Sequence, residues 1–312
     1  GVRSAIGVPP TAAVYALPAM TKVRDLAQNT ALRERLAAEG LRAPEFVKVP
    51  TPGGVLLDGY RIVPANFDST RRYPVLMYTY GGPAAAQVVD QWGGTRYLWH
   101  QMLAQRGYVI VVVDNRGAAW RGNAFRKITQ HQLGKYESQD QADAARWLRT
   151  QPWVDGANVG IWGWSYGGYL ASLTAMRGGE LFKAAMAVAP VTDWRLYDTI
   201  YTERFMWVPQ ENREGYDANN PVREVNGLTA RFLVAHGTGD DNVHPQNTTQ
   251  LTEALIRANK QFTQLMYPNR THGIQGNNAT AHLFEALTRF VEESLCRPNQ
   301  PCVTPSPSTA TP

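Results

Sequence analysis

The sequence predicts an α/β fold, a mostly parallel sheet with helices on both faces. Three observations carry that prediction. From residue 73 onward, extended segments alternate with helical ones, the pattern of parallel strands joined by helical crossovers. The run Tyr108-Val-Ile-Val-Val-Val113 is the longest apolar stretch, too short to cross a bilayer and typical of a strand buried on both faces. Finally, the strand formers Val159-Gly160-Ile161-Trp162 lead into Gly163-Trp164-Ser165-Tyr166-Gly167-Gly168, and a helix-compatible stretch, Tyr169 to Met176, leaves it. This is G-x-S-x-G between a strand and a helix, the context of a nucleophile elbow. The turn is so sharp that the positions two before and two after the serine have no room for a side chain, and glycine occupies both. The competing reading is a chance match in a glycine-rich loop, against which the flanking strand and helix argue.

The elements follow in order. Residues 1–20 are small, apolar and proline-containing, with no clear period. Asp25 to Glu39 reads as a helix: Leu26, Leu32 and Leu36 are near helical spacing, Asp25 with Gln28 resembles a capping box, and Gly40 stops it. Phe46–Thr51 and Val55–Pro64 read as strands joined through Pro52-Gly53-Gly54. Tyr73–Tyr80 is the next strand, ending at Gly81-Gly82-Pro83, with a helix over Tyr97–Arg106 after it. Tyr108–Asp114 is the buried strand, and Asp140–Thr150 is a helix with Ala142, Ala145 and Leu148 on one face. Beyond the elbow, Phe182–Val191, Arg231–Ala235 and Gln261–Tyr267 are strands, while Pro245–Ala258 and Thr280–Leu295 are helices. In such a sheet, functional groups lie on loops at the carboxyl ends of the strands.

Composition narrows the classes. A chain of 312 residues, 44% hydrophobic and 18% charged, buries a core large enough to need no metal or disulfide staple. The net charge of +5 is spread over scattered Lys and Arg, which argues for a solvated mixed surface and against a nucleic-acid partner. No membrane span and no signal peptide are visible. Cys296 and Cys302, the only cysteines, lie in the last stretch, six residues apart. They either close a small loop, as an oxidising compartment allows, or remain free thiols. Neither suits a cysteine nucleophile or a structural zinc site. From Arg297 the chain is rich in Pro, Ser and Thr, and residues 296–312 are expected to be a disordered tail.

An elbow serine needs a base and an acid, and in this fold they follow in the order Ser, acid, His. His100 and His131 precede Ser165 and drop out. His282 falls inside a predicted helix, and His236 precedes any acid able to orient it. His244 lies close after the acids but on the wrong side of the last strand. His272 follows the last strand in a glycine-containing loop, the position the topology demands. The loop after Arg231–Ala235 offers Asp240 and Asp241 as the acid, and spacing does not choose between them. The Tyr166 N–H, directly after the serine, is one oxyanion donor by geometry. The second belongs to the loop after Tyr73–Tyr80, where the Tyr80 hydroxyl is a candidate beside the Gly81-Gly82 pair.

With these residues in place, the chain closely resembles the prolyl oligopeptidase family of serine peptidases. The likeness rests on Trp162-Gly-Trp-Ser165-Tyr-Gly-Gly-Tyr169, Ala189-Pro-Val-Thr-Asp-Trp194, Tyr197-Asp-Thr-Ile-Tyr201-Thr-Glu-Arg-Phe-Met206, His236-Gly-Thr-Gly-Asp-Asp-Asn-Val-His244 and Tyr267-Pro-Asn-Arg-Thr-His-Gly273. It runs from about Phe46 to Leu295. The resemblance implies an eight-stranded α/β-hydrolase domain over residues 46–295. It implies a triad of Ser165, Asp240 and His272, with Tyr80 as the side-chain oxyanion donor beside the Tyr166 amide. Val191, Trp194, Tyr197, Tyr201 and Val243, with the Tyr166 ring, would line the pocket for the residue before the scissile bond, and Asn242 would bond the substrate carbonyl. A flat aromatic box suits a pyrrolidine ring. The i, i+3, i+7 spacing of Trp194, Tyr197 and Tyr201 fits a helix face packed in the core equally well.

The implied activity is cleavage after proline or alanine with release of N-terminal dipeptides, through an acyl-enzyme and without a cofactor. A carboxylesterase or acyl-peptide hydrolase with the same triad is the enzymatic alternative, and a non-catalytic hydrolase-fold binding module the other. The implied partner is a peptide, the assembly leaves room for a homodimer, and the expected compartment is periplasmic or secreted. Two departures from the family pattern stand out. The family carries an N-terminal β-propeller for which this chain is too short; residues 1–45 are expected to be a remnant of that junction, and residues 9–28 its last strand. The propeller glutamates that hold a substrate's amino terminus are therefore not expected here. Further, Asp114-Asn-Arg-Gly-Ala-Ala-Trp120 carries Ala-Ala-Trp where a smaller turn is expected, and three alanines follow Gly82-Pro83, both changes at the rim of the site.

Overall fold

A computed structural model describes residues 1–296. The expected tail disorder and the state of Cys302 lie outside the described residues; Cys296 is held in a disulfide.

The chain opens with β1 (Val2–Ala5), β2 (Val8–Ala16) and β3 (Thr21–Ala27), a three-stranded antiparallel sheet in that order. The helix expected from Asp25 is corrected here. Asp25 lies in β3 opposite Ala13, its carboxylate takes the Lys22 ammonium rather than capping a helix, and α1 starts only at Thr30 (Thr30–Ala38). Pairing to β2 outweighs the helical leucine spacing. Residues 1–20, which show no period, are strands because they pair with each other rather than bury one face.

The second sheet has eight strands: β4 (Glu45–Pro50), β5 (Leu56–Ile62), β6 (Tyr73–Tyr78), β7 (Val109–Asp114), β8 (Val154–Trp164), β9 (Ala184–Val188), β10 (Arg231–Gly237) and β11 (Thr263–Tyr267). Their spatial order is β11-β10-β9-β8-β6-β7-β5-β4, parallel except for the β4–β5 and β5–β7 pairs. The expected α/β-hydrolase sheet is present. Every residue of β6 and β7 is buried, so these strands form the centre of the core. Full burial of a Val or Leu side chain contributes about 1.5–3 kcal/mol.

The helices are α2 (Gly94–Gln105), α3 (Gly122–Lys127), α4 (Lys135–Arg149), α5 (Tyr166–Gly178), α6 (Thr199–Met206), α7 (Arg213–Ala218), α8 (Pro221–Glu224), α9 (Gln246–Arg257) and α10 (Ala279–Ser294). None among the described residues is long and apolar enough to cross a membrane. One apolar cluster joins Val75, Val111 and Ile161 to Ala144, Leu148, Ala171 and Leu251, on the α4, α5 and α9 side of the sheet. Another joins Leu76, Ile110 and Trp162 to Leu103, Leu283 and Val291, on the α2 and α10 side. Alternate residues of each strand thus serve opposite faces.

Two boundary differences bear on the site. Helix α4 begins five residues before the expected Asp140, because Gly134 takes φ 91° and starts it there. The strand expected over Phe182–Val191 ends at Val188, since Ala189 turns to φ 44° while its N–H bonds the Ala235 carbonyl. That turn carries Val191 and Trp194 over the top of the sheet.

Candidate active site

Ser165, the candidate nucleophile, sits where β8 meets α5. Ser165 has φ 62° and ψ −121°, a conformation costly for a residue with a side chain. The turn is possible because the flanking glycines add no Cβ to a crowded site. A Cβ on Gly163 would strike the Gly167 carbonyl, and one on Gly167 would strike the Thr79 carbonyl and the Tyr80 backbone. The Ser165 N–H bonds the Val188 carbonyl at 2.8 Å, fixing the elbow to β9. Among the described residues the Ser165 hydroxyl has no hydrogen-bond partner.

The candidate acid and base come from the next strand ends. Asp240 follows β10 and His272 follows β11, and His272 Nδ1 donates to Asp240 Oδ2 at 2.8 Å. Asp241, its neighbour, is exposed. The fold therefore brings Asp240, not Asp241, to the imidazole. The His272 loop reaches the elbow itself, since the indole N–H of Trp164 donates to the His272 carbonyl at 3.0 Å. With Nδ1 bonded to a carboxylate, Nε2 of His272 is the basic nitrogen.

Asp240 is a more heavily bonded carboxylate than the sequence suggests. Its side chain is fully buried. Oδ2 also faces His236 Nε2 at 3.2 Å, and Oδ1 accepts the Asn242 and Val243 amides, each at 3.0 Å. Burial opposes its ionisation, but the hydrogen bonds from His236 and His272, the His272 charge and the Val243 amide outweigh it and hold the carboxyl well below its ordinary range. His236, which precedes the acid in the chain, is held by other bonds. It is buried, its Nε2 faces two acceptors, Asp240 and the Val243 carbonyl at 2.8 Å, and Nδ1 is 2.7 Å from the Thr248 hydroxyl. Two acceptors at Nε2 put the ring proton there. Its place four residues before Asp240 on the same strand–loop unit was the available signal.

The pocket residues also converge. Tyr166, Val191, Trp194 and Val243 are buried in one cluster, with Tyr80, Tyr197 and Tyr201 packed against it. Tyr201 stacks on Trp194 at 6.0 Å and 22°, and Tyr197 meets both rings edge-on. Trp194 lies in a short 3-10 turn and Tyr201 in α6, so no single helix face joins the three. The Asp198 carboxylate caps α6 by accepting the Tyr201 N–H at 2.8 Å, which sets that ring's height. Asn242 Oδ1 accepts the Tyr197 hydroxyl at 2.7 Å and leaves its amide N–H groups to donate.

Tyr166 is the first residue of α5, so its N–H has no partner within the helix. The Tyr80 ring lies 6.1 Å from the Tyr166 ring, its hydroxyl makes no hydrogen bond among the described residues, and burial raises its pKa, keeping it a donor. At the rim, the Ala84 N–H bonds the Gly117 carbonyl at 2.8 Å, tying the two atypical loops together, and Trp120 stands 86% exposed at φ 70°.

A sequence model of the prolyl oligopeptidase family matches residues 96–297. The chain belongs to the prolyl oligopeptidase family. A protein of Schizosaccharomyces pombe named as a dipeptidyl aminopeptidase is 39% identical over 278 residues, 87% of this chain and 34% of that protein. A protein of Uncinocarpus reesii named as a dipeptidyl-aminopeptidase B is 43% identical over 247 residues, 76% of this chain and 27% of its own length. The crystal structure of Porphyromonas gingivalis dipeptidyl peptidase 4 superposes with a TM-score of 0.90 at 42% identity, covering 94% of this chain and 41% of that one. The chain thus spans about a third of the length of these family relatives.

Proposed function

We propose that this chain is the catalytic part of a serine peptidase that releases dipeptides from peptide N-termini, cutting after proline or alanine. The observation that carries the reading is the His272–Asp240 bond at the strand ends beside the elbow, held to it by Trp164. The names of the family relatives support the dipeptidyl activity, and the aromatic box beside Ser165 supports the preference for a flat ring.

In the acylation half, Ser165 Oγ attacks the scissile carbonyl carbon while its proton passes to His272 Nε2. The carbonyl π pair moves onto oxygen, where the Tyr166 N–H and the Tyr80 hydroxyl donate to it. Collapse expels the amine, which takes the proton from His272 and leaves the dipeptide esterified to Ser165. Water repeats the sequence, releasing the dipeptide acid and restoring the serine. Asp240 holds His272 in the required tautomer and stabilises the imidazolium.

The test compares kcat/KM on a Gly-Pro amide reporter and on a simple acyl ester, with Ser165→Ala as control. Preference for the Gly-Pro amide supports the reading. Preference for the ester with no amide cleavage replaces it with the esterase. A Ser165→Ala variant that keeps its rate, against an expected loss on the order of 10⁶, overturns the serine mechanism. The same reading places the protein in an oxidising compartment, periplasmic or extracellular, supported by the Cys296 disulfide. Free thiols in the natively isolated, unreduced protein would contradict it.

A further inference from the structure

Glu137 is fully buried and takes no part in the triad, the oxyanion donors or the box. It lies in the first turn of α4, and its Oε1 accepts the Tyr166 hydroxyl at 2.8 Å. Oε2 has no hydrogen-bond partner. A buried carboxyl is an expensive way to fill space, and an apolar residue of similar volume is often neutral or stabilising in its place. Its one side-chain partner is therefore informative. Tyr166 supplies both the amide aimed at the oxyanion and a wall of the box.

Stacking alone leaves Tyr166 incompletely fixed. Its ring meets Tyr80 at 6.1 Å, Tyr169 at 5.3 Å and Trp194 at 5.2 Å. Ring contacts are tolerant of small slides, whereas a hydrogen bond to a carboxyl anchored on a separate helix pins the far end of the side chain. The near end is the backbone that bears the oxyanion donor. We propose that Glu137 is a positioning residue: through the Tyr166 hydroxyl it holds the Tyr166 amide and ring where the oxyanion and the substrate need them. This rests on the hydrolase reading given above.

The experiment measures the second-order rate of labelling by a fluorophosphonate, and kcat and KM on the Gly-Pro reporter, for Glu137→Leu, Glu137→Gln, Tyr166→Phe and the Leu/Phe double variant. Complete loss of an oxyanion donor costs about 10²–10³ in rate, so a displaced donor should cost about ten- to a hundredfold, in kcat and in labelling, with KM changed by less than about threefold. Leu and Phe should each show that loss, the double variant no more than the worse single, and Gln, which keeps the acceptor, should recover the rate to within about threefold. A merely structural carboxyl would lower the melting temperature and leave kcat alone. Tyr166→Phe labelling as fast as wild type, or losses that multiply in the double variant, overturns the proposal. Should Glu137→Leu not fold, Tyr166→Phe breaks the same bond from the other end and decides alone. Wild-type protein inert to the fluorophosphonate overturns the hydrolase reading itself, a different failure from a reactive wild type with reactive variants.

Discussion

Replacing Glu137 by Gln should change how stability depends on pH, by an amount set by the carboxyl's burial. Desolvation is the largest influence on Glu137 and raises its pKa from 4.5 to about 7, against the lowering effects of the nearby Gly134 and Glu137 amides and the Tyr166 hydroxyl. Asp140, one turn along α4 and ion-paired to Arg116, adds a small push in the same direction, while the phenols of Tyr166, Tyr169 and Tyr201 face it uncharged. A carboxyl whose folded pKa lies above its unfolded one binds more protons when folded. Stability is then fully present below the unfolded pKa and falls as pH rises through the folded value. The full cost approaches about 3 kcal/mol at high pH, of which about 2.5 kcal/mol develops between pH 5 and pH 8. Glutamine does not titrate, so the stability difference between variant and wild type should move in the variant's favour by that amount over the interval. Urea unfolding of both proteins at several pH values reads it directly. A difference that stays flat to within about 0.5 kcal/mol would refute the idea that Glu137 enters the folded state as a reluctant anion.

Three further outcomes are expected. Asp240→Asn should lower kcat by on the order of 10⁴ by presenting His272 with the wrong partner, whereas exposed Asp241→Asn should cost less than about threefold; steady-state kinetics with the order reversed would mean that the other carboxylate orients the base. Gly167→Ala should cost about 3 kcal/mol or prevent folding, because the Thr79 carbonyl cannot retreat from a Cβ, lowering Tm by about 5 °C; a native melting curve would show that the elbow is looser than its geometry implies. The named walls of the box are aromatic and aliphatic, with Asn242 a polar group beside them, so Gly-Pro reporters with free and blocked amino termini should be cleaved with similar kcat/KM by this chain. A preference for the free amine above about tenfold would reveal a carboxylate that receives it.

What the sequence discloses follows from how local each constraint is. The elbow is legible because its requirements lie within six consecutive residues, three of them glycines facing carbonyls. The central strands are legible because burial on both faces makes β7 uniformly apolar. The candidate base is legible from chain order together with its place after the last strand. The first three strands are not: β3 is exposed along its whole length, so no alternation betrays it, and the leucines beside it mimic a helix. The choice between Asp240 and Asp241 is hidden because neighbouring residues in a turn point apart, and only the turn's shape says which faces inward. Glu137 and His236 escape for a related reason. Glu137 reads as an ordinary acid near a helix start, and its contact with Tyr166, 29 residues away, exists only because α4 packs on α5. His236 fails as a base because it precedes the acid, and that criterion does not ask what else touches the acid.

The two oxygens of Asp240 divide their attention. Oδ2 faces the histidines, while Oδ1 gathers the amides of Asn242, expected to meet the substrate's carbonyl, and Val243, which packs in the box. On the proposed mechanism, a single anion therefore anchors both the proton relay and the loop that would recognise the substrate. Reaction and selection share a hinge point, and neither can be retuned alone. A change at residue 242 or 243 that alters taste for the substrate also tugs on the relay's keystone, and a weakened acid loosens the grip on the substrate. Variation in specificity should accordingly find its freedom on the far wall, at Tyr197 and Tyr201, whose supports come from α6 and its cap.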